Sequence, residues 1–248
     1  MIRKIVAASL LCIAGFAAWL AYIGYFGGGL FTDLAGEGRR SSVAAVVLSG
    51  DMGFRIGMSP RIAERLAADG VSVVGVNSLS YFRVRRSPEQ VEQLIAHAVE
   101  RAAMLGHTDQ IILVGQSFGA DMVHIGLAKA PPSLRAKVKM VALVVPTDTV
   151  FFRASPSELF NWSKADARAL PTARLLDWVP VACIQGRAER ESLCPQLVQH
   201  NVARIALPGG HPLNNDADAL YAALKVQIAR AVPDAFRATA VSPGGAPK

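Results

Sequence analysis

The stretch Ile112–Met122, ILVGQSFGADM, decides the fold of this chain. Three apolar residues lead into Gly115, and Ser117 then stands between two glycines at the start of a helical pattern. A G-x-S-x-G motif between a buried strand and a helix predicts a tight turn that lifts the serine hydroxyl above the carboxyl end of a sheet. The alternative is a glycine-rich turn in which Ser117 serves only as the helix N-cap.

Apolar runs and helix signals alternate on both sides of this turn. Ser59-Pro60 and Ser87-Pro88 each offer an N-cap followed by a first-turn proline, and further helices are expected at 117–130 and 216–231. The runs expected to form strands are Val43–Leu48, Val71–Val76, Ile111–Val114, Val138–Val145, Val181–Gln185 and Val202–Leu207. This alternation predicts an α/β fold with a mostly parallel sheet of about six strands and helices on both faces.

The same pattern suggests how the chain is divided. Residues 43–231 are expected to form the domain, residues 27–42 a glycine-rich linker, and residues 232–248 a disordered tail rich in Pro, Gly and Ala. The long interval from Leu143 to Pro180 separates two strands, and it predicts a small cap. It contains Phe151, Phe152, Phe160 and Trp162.

The N-terminal segment, residues 1–26, is apolar enough to enter a membrane. Arg3 and Lys4 precede the uncharged run Ile5–Phe26, which exceeds the roughly 20 residues that a membrane-crossing helix needs. It is interpreted as a signal anchor or, alternatively, as a cleaved signal peptide. In both cases the positive residues leave the domain outside the cytoplasm.

The cysteines agree with export. Cys12 lies in the membrane segment, which leaves Cys183 and Cys194 in the domain. A pair of cysteines in an oxidising compartment predicts a disulfide, and the alternative is two separate buried thiols.

Composition excludes several classes of partner and ligand. The chain of 248 residues has a formal net charge of +7, but its basic residues are scattered, and no nucleic-acid-binding motif is present. This charge would draw a tethered domain to an anionic membrane surface. The sequence has no metal-ligand spacing and no phosphate-binding loop, so we expect neither a metal nor a cofactor.

A serine hydroxyl becomes a nucleophile only when a base takes its proton, so a histidine is required. His97 and His124 fall in predicted helices, His107 in a turn, and His200 just before a strand. His211 follows the sixth predicted strand in LPGGHPL. That position fits the chain order serine, acid, histidine, and it makes His211 the candidate base.

A carboxylate is needed to orient the imidazole and to stabilise its charged form. The loop after the fifth predicted strand reads QGRAERESLCP and offers two candidates. Glu189 is preferred because it lies nearer the end of the strand, and Glu191 is the alternative acid.

The oxyanion hole requires backbone N–H donors. The first candidate is Phe118, directly after the nucleophile. The second should come from the loop LSGDMGF after the first strand, with Asp51 preferred and Met52 as the alternative.

Several segments together resemble the VirJ/AcvB family of bacterial virulence proteins. They are LSGDMGF, VVGVNSLSYF, LVGQSFGADM, CIQGRAERESLCP and LPGGH, in order over residues 43–231. The resemblance implies an α/β-hydrolase fold and a serine hydrolase with Ser117 as nucleophile, His211 as base and an acid in the Glu189/Glu191 loop. It further implies the substrate lysyl-phosphatidylglycerol, a periplasmic location and a link to secretion-system proteins.

A lysyl group carries two ammonium charges, so a selective pocket should contain carboxylates. Asp51 in the oxyanion loop and Asp121, one helical turn beyond Ser117, are the candidates. The alternatives are that Asp51 stabilises a turn and that Asp121 interacts with a positive helix N-terminus. A less selective carboxylesterase and a periplasmic binding protein with a vestigial triad remain the competing functions.

Overall fold

A seven-stranded sheet forms the centre of the protein in a computed structural model that describes residues 2–25, 29–38, 40–154 and 164–236. Two of the described strands, β6 and β7, lie outside this sheet. In chain order the described strands are β1 Phe31–Leu34, β2 Ala44–Leu48, β3 Ser72–Val76, β4 Ile111–Gln116, β5 Val138–Val144, β6 Thr149–Val150, β7 Ala167–Arg168, β8 Val181–Gly186 and β9 Val202–Leu207. The described helices are α1 Ile2–Tyr22, α2 Met58–Ala68, α3 Ser78–Phe82, α4 Pro88–Gly106, α5 Phe118–Leu127, α6 Pro132–Lys137, α7 Leu170–Ala173 and α8 Ala217–Ala231. Short 3-10 helices span Cys194–Gln196 and Leu213–Asn215.

The strand order β1-β3-β2-β4-β5-β8-β9 confirms the predicted α/β architecture. Six strands are parallel, and β1 pairs antiparallel with β3 at the edge, with Phe31 opposite Val76. The prediction of about six strands was one short, because β1 lies inside the predicted linker 27–42. Its four residues, FTDL, are too few to give a clear strand pattern. A two-bond ion pair from Arg101 to Asp33 supports this edge.

Helices cover the two faces of the sheet. β2 is buried at all five positions, which explains its uninterrupted apolar sequence. One hydrophobic cluster lies beneath α4 and α5, and it includes Leu113 of β4. The other lies beneath α2 and α8, and it includes Ile112 of the same strand. Adjacent residues of a strand therefore serve opposite layers of the core.

The predicted helix start is correct at α4 and two residues late at α2. The Ser87 hydroxyl accepts the Gln90 amide while the Gln90 side chain accepts the Ser87 amide, which is the predicted capping box. α2 instead begins at Met58 with Gly57 as its N-cap. The Ser59 hydroxyl donates to the side-chain carbonyl of Gln116, 2.6 Å away, next to the glycine-rich turn.

The cap region contains a two-stranded ribbon of β6 and β7 and the short helix α7. Phe151 and Phe152 are half-buried and pack against the core, whereas Phe160 and Trp162 lie outside the described residues.

The predicted disordered tail begins too early. Val232 and Ala235 are buried in the cluster beneath α8, because both are apolar and continue its packing face. Residues 237–248 lie outside the described part of the chain.

Candidate active site

The turn after β4 has the geometry that the G-x-S-x-G motif predicts. Ser117 joins β4 to α5 with a φ of 52°, a strained conformation for a residue with a side chain. A Cβ atom added to Gly115 would lie within 3.0 Å of the backbone of α5, and one added to Gly119 within 3.0 Å of the backbone after β2. Both glycines are therefore required so that strand, turn and helix can approach closely.

The hydroxyl of Ser117 faces the imidazole of His211. The distance from Ser117 Oγ to His211 Nε2 is 2.8 Å, across 94 residues of sequence. Ser117 occupies the N-cap position of α5, but its side chain makes no capping hydrogen bond. The alternative of a purely capping serine therefore does not describe this turn.

Glu189 completes a line of hydrogen-bonded side chains. His211 Nδ1 lies 2.5 Å from Glu189 Oε1, and the Gly186 amide donates to Glu189 Oε2 over 3.3 Å. The Glu189 side chain is only 6% exposed, against 42% for His211. A carboxylate beside Nδ1 favours the tautomer with its proton on Nδ1, which leaves Nε2 free to accept from Ser117.

The alternative acid, Glu191, does not join this line. It is exposed, and its backbone carbonyl accepts a hydrogen bond from the Asp148 amide at 3.0 Å. The structure therefore brings Ser117, His211 and Glu189 together and leaves Glu191 outside.

The predicted disulfide is present and encloses the loop that carries Glu189. Cys183 of β8 is bonded to Cys194, with 5.4 Å between their Cα atoms. An isolated β-bridge joins Thr147 to Ser192 inside the same loop.

The loop after β2 passes alongside Ser117. A Cβ atom added to Gly50 would lie 3.5 Å from the Cβ atom of Ser117, an ordinary contact distance. The Phe118 amide belongs to the first residue of α5, so no carbonyl one turn earlier in the helix can accept it. The backbone of this loop and the Phe118 amide are thus both close to the hydroxyl, as an oxyanion hole requires.

Asp51 lies in this loop and lines the same pocket as Ser117 and His211. Burial raises the pKa of the Asp51 carboxyl, while hydrogen bonds from the backbone amides of Asp51 and Met52 and the nearby His211 act in the opposite direction. The carboxyl therefore lies near the two amides that are the candidates for the second oxyanion donor.

The pocket has a volume of about 270 Å³. Besides the residues named above, it is lined by Ile56, Met58 and Asn215, none of which the sequence reasoning singled out. The first two follow the oxyanion loop directly, and Asn215 follows His211 by four positions. Their proximity in sequence to predicted site residues is the signal that could have identified them as pocket residues.

Asp121 does not reach the pocket, which corrects its predicted role in substrate binding. Its carboxyl is buried, accepts a hydrogen bond from the Thr147 amide at 3.1 Å, and lies 2.8 Å from the Thr147 hydroxyl oxygen. Burial raises its pKa well above the usual value; the Thr147 hydrogen bonds lower it, and the charges of Glu189 and Asp148 raise it further.

The number of protons available for the hydrogen bonds around Thr147 agrees with a neutral Asp121. The Thr147 hydroxyl also lies 2.7 Å from the Thr149 carbonyl oxygen, and one hydroxyl proton cannot serve two acceptors. A protonated Asp121 resolves the conflict by donating to Thr147, which then donates to Thr149.

The neighbouring His124 is buried against Thr172, and burial lowers its pKa to about 3. Within the described ranges, no group of three His, Cys, Asp or Glu side chains could hold a metal ion.

Sequence comparison gives one family match. The profile described as "Bacterial virulence protein (VirJ)" matches residues 42–232. Among curated proteins, none is significantly similar in sequence to this chain.

Solved structures with the same fold include several esterases. Est1E from Butyrivibrio proteoclasticus, bound to ferulic acid, has a TM-score of 0.58 and 14% identity, and the alignment covers 82% of this chain and 95% of that one. The esterase Pf2001 from Pyrococcus furiosus has a TM-score of 0.56 and 15% identity, covering 77% and 81%. XC6422 from Xanthomonas campestris, an α/β serine hydrolase without a lid, has a TM-score of 0.56 and 17% identity, covering 82% and 89%. At these identities the likeness establishes the α/β-hydrolase fold.

Proposed function

The chain belongs to the bacterial virulence protein (VirJ) family, and from this premise we propose that it is a periplasmic serine hydrolase that cleaves the aminoacyl ester of lysyl-phosphatidylglycerol. The observation that carries the proposal is the line of hydrogen bonds from Ser117 through His211 to Glu189. This arrangement provides a nucleophile, a base in reach of its proton, and a carboxylate that orients the base.

In the first half-reaction, Ser117 Oγ attacks the ester carbonyl carbon while His211 Nε2 takes the hydroxyl proton. The tetrahedral intermediate collapses when the bond between the carbonyl carbon and the phosphatidylglycerol oxygen breaks. His211 gives its proton to that departing oxygen. The lysyl group is then esterified to Ser117, and phosphatidylglycerol is released.

In the second half-reaction, water attacks the lysyl ester and His211 takes a proton from the water. The bond from the carbonyl carbon to Ser117 Oγ breaks, and the proton returns to the serine. Lysine leaves, and the enzyme is restored. Glu189 stabilises the charged imidazole in both halves, and it does so from a nearly buried position where its charge is weakly screened.

The negative oxygen of each intermediate needs the amide of Phe118 and one amide of the Asp51–Met52 loop. The Asp51 carboxyl lies near the loop amides in the free protein and would compete with the oxyanion for them. An ammonium group of the lysyl moiety is a suitable new partner for it. This exchange would couple recognition of the cationic substrate to completion of the oxyanion hole.

The proposed location rests on two features. The helix Arg3–Tyr22 is long and apolar enough for a membrane anchor or a signal sequence. The Cys183–Cys194 disulfide is typical of an oxidising compartment such as the periplasm.

The test combines covalent labelling with two substrates. A fluorophosphonate should modify Ser117, with the residue located by mass spectrometry. Ser117→Ala should abolish both labelling and release of lysine from lysyl-phosphatidylglycerol while the thermal unfolding midpoint stays unchanged. Lysine release that survives Ser117→Ala would contradict the hydrolase mechanism and support a binding role.

Substrate selectivity is tested at Asp51. Asp51→Asn should lower kcat/KM for lysyl-phosphatidylglycerol about 10-fold or more, as expected for the loss of a charge-assisted hydrogen bond, with a smaller effect on a neutral short-chain ester. The apolar side chains of Ile56 and Met58 in the pocket favour a less selective carboxylesterase as the second candidate. Equal effects of Asp51→Asn on both substrates would support that candidate.

A further inference from the structure

The end of α1 is packed into the domain beside the pocket. Leu20 and Ile23 are buried in the cluster that lies beneath α4 and α5. A Cβ atom added to Gly53 of the oxyanion loop would lie 2.8 Å from the carbonyl oxygen of Ile23, so the helix end and the loop touch. Cleavage that removed this segment would uncover apolar core.

The rest of α1 stands clear of the domain. Its large apolar side chains are exposed: Ile5, Val6, Leu10, Leu11, Ile13, Phe16, Trp19 and Tyr22. A continuous apolar surface of this size is unfavourable in water, and it indicates a partner that covers it. The mean hydropathy of 2.1 over Arg3–Tyr22 fits a bilayer as that partner.

Helix length places the pocket at a defined height. The 21 residues of α1 extend about 31 Å at 1.5 Å per residue, which matches a hydrocarbon core of about 30 Å. Trp19 and Tyr22 then fall at the interface that aromatic residues prefer. Gly53 contacts the helix immediately after Tyr22 and also lines the pocket, so the pocket lies at the level of the lipid headgroups.

Two exposed arginines contact the docked helix end, and a third exposed arginine contacts one of them. Arg55 donates to the Tyr22 carbonyl at 3.1 Å, and Arg83 donates to the Tyr25 carbonyl at 3.4 Å. Arg153 donates to the backbone carbonyl of Arg83 at 3.2 Å.

Across residues 2–25, 29–38, 40–154 and 164–236, none of these three guanidinium groups forms an ion pair with a carboxylate. Among the described residues, no carboxylate neutralises their positive charges. Val84, next to Arg83, adds an apolar side chain that is 50% exposed. Arg55, Arg83, Val84 and Arg153 are called the anchor face below.

We propose that α1 is retained in the mature protein and that the anchor face binds anionic phospholipid headgroups, which holds the pocket at the headgroup layer of the membrane. The proposal deepens the proposed function, on which it rests for the nature of the substrate. A lipid whose scissile ester lies in its headgroup could then reach Ser117 without leaving the bilayer.

The experiment uses the full chain reconstituted in lipid vesicles, in a Cys12→Ser background. An environment-sensitive fluorophore is attached at Val84→Cys or, as the matched control, at Val226→Cys. Both valines are 50% exposed, but Val226 lies on α8, against the opposite face of the sheet. In vesicles containing phosphatidylglycerol we expect blue-shifted emission at position 84 and water-like emission at position 226, with a weaker shift at 84 in pure phosphatidylcholine.

Arg153→Gln should lower the ratio of shielded to exposed probe at position 84 about fivefold, the effect of about 1 kcal/mol per basic residue at an anionic surface. The proposal would be overturned by equal emission at both positions or by emission at position 84 that does not depend on phosphatidylglycerol. A mature protein whose N-terminus lies beyond Tyr25 would also overturn it. Absence of lysine release from lysyl-phosphatidylglycerol with intact shielding at position 84 would instead refute the proposed function and leave the membrane docking standing.

Discussion

Replacing Glu189 with glutamine changes one atom of the site and should remove most of its activity. In the native site the Gly186 amide donates to Glu189 Oε2 while Oε1 faces His211 Nδ1. A glutamine must keep its carbonyl oxygen towards Gly186, since that amide needs an acceptor. Its NH₂ group then faces Nδ1 and forces the imidazole proton onto Nε2. In that tautomer Nε2 cannot accept the proton of Ser117.

The expected loss follows from this tautomer. In serine hydrolases a substitution that leaves the geometry intact but selects the wrong tautomer lowers kcat by about 10⁴-fold, or about 5 kcal/mol of barrier. The low exposure of the Glu189 side chain leaves little room for water to replace the missing carboxylate. The loss should therefore appear in kcat for every ester, with little change in KM.

Glu191→Gln is the matched control, because it makes the same chemical change in the same loop at an exposed position. The assay compares kcat and KM of both variants on a water-soluble ester and on lysyl-phosphatidylglycerol, with thermal unfolding as the check of folding. We expect near-normal turnover for Glu191→Gln. A collapse in Glu191→Gln together with normal turnover in Glu189→Gln would refute the assignment of the acid.

Two further predictions concern stability. Joint replacement of Cys183 and Cys194 by alanine should lower the free energy of unfolding in urea by about 3 kcal/mol, the chain-entropy value for a loop of this length; an unchanged midpoint would contradict a stabilising role. The raised pKa of Asp121 means that the folded state binds its proton more tightly than the unfolded state, so this group's contribution to stability falls as pH rises above the usual value of 3.8. Asp121→Asn, which does not titrate, should therefore gain stability relative to the native chain as the pH rises above 3.8, and parallel urea-unfolding profiles would refute a neutral buried Asp121.

The turn around Ser117 could be predicted because its information is local. Apolar residues before Gly115 indicate a buried strand, and the two glycines are needed for steric reasons that involve only the adjacent strand, helix and loop. The position of His211 could also be predicted from the sequence, since the carboxyl ends of parallel strands meet at one edge of a sheet.

The choice of acid was harder to predict because Glu189 and Glu191 share an irregular loop. No periodicity fixes which side chain points inward in such a segment. That direction depends on contacts with distant parts of the chain, such as the hydrogen bond from the Ala188 amide to the Gly209 carbonyl at 2.9 Å. The preference for the residue nearer the strand selected the side chain that contacts His211.

Asp121 shows where spacing misleads. A separation of four residues from Ser117 places it on the same side of a helix, but it does not say what that side faces. All ten residues of α5 are buried, so this helix presents no face to the pocket. The edge strand β1 was not predicted, because a short and partly exposed strand has too few apolar residues to give a recognisable pattern.

The position of Glu189 depends on how the loop around it is fastened. The loop has no helix or strand of its own before Cys194, yet it must hold a carboxylate within hydrogen-bond distance of the imidazole. The Cys183–Cys194 disulfide closes it from one side, and the bridge between Thr147 and Ser192 ties it to the chain after β5. Because such a disulfide persists in an oxidising compartment, the proposed acid would have its full support at the proposed periplasmic location.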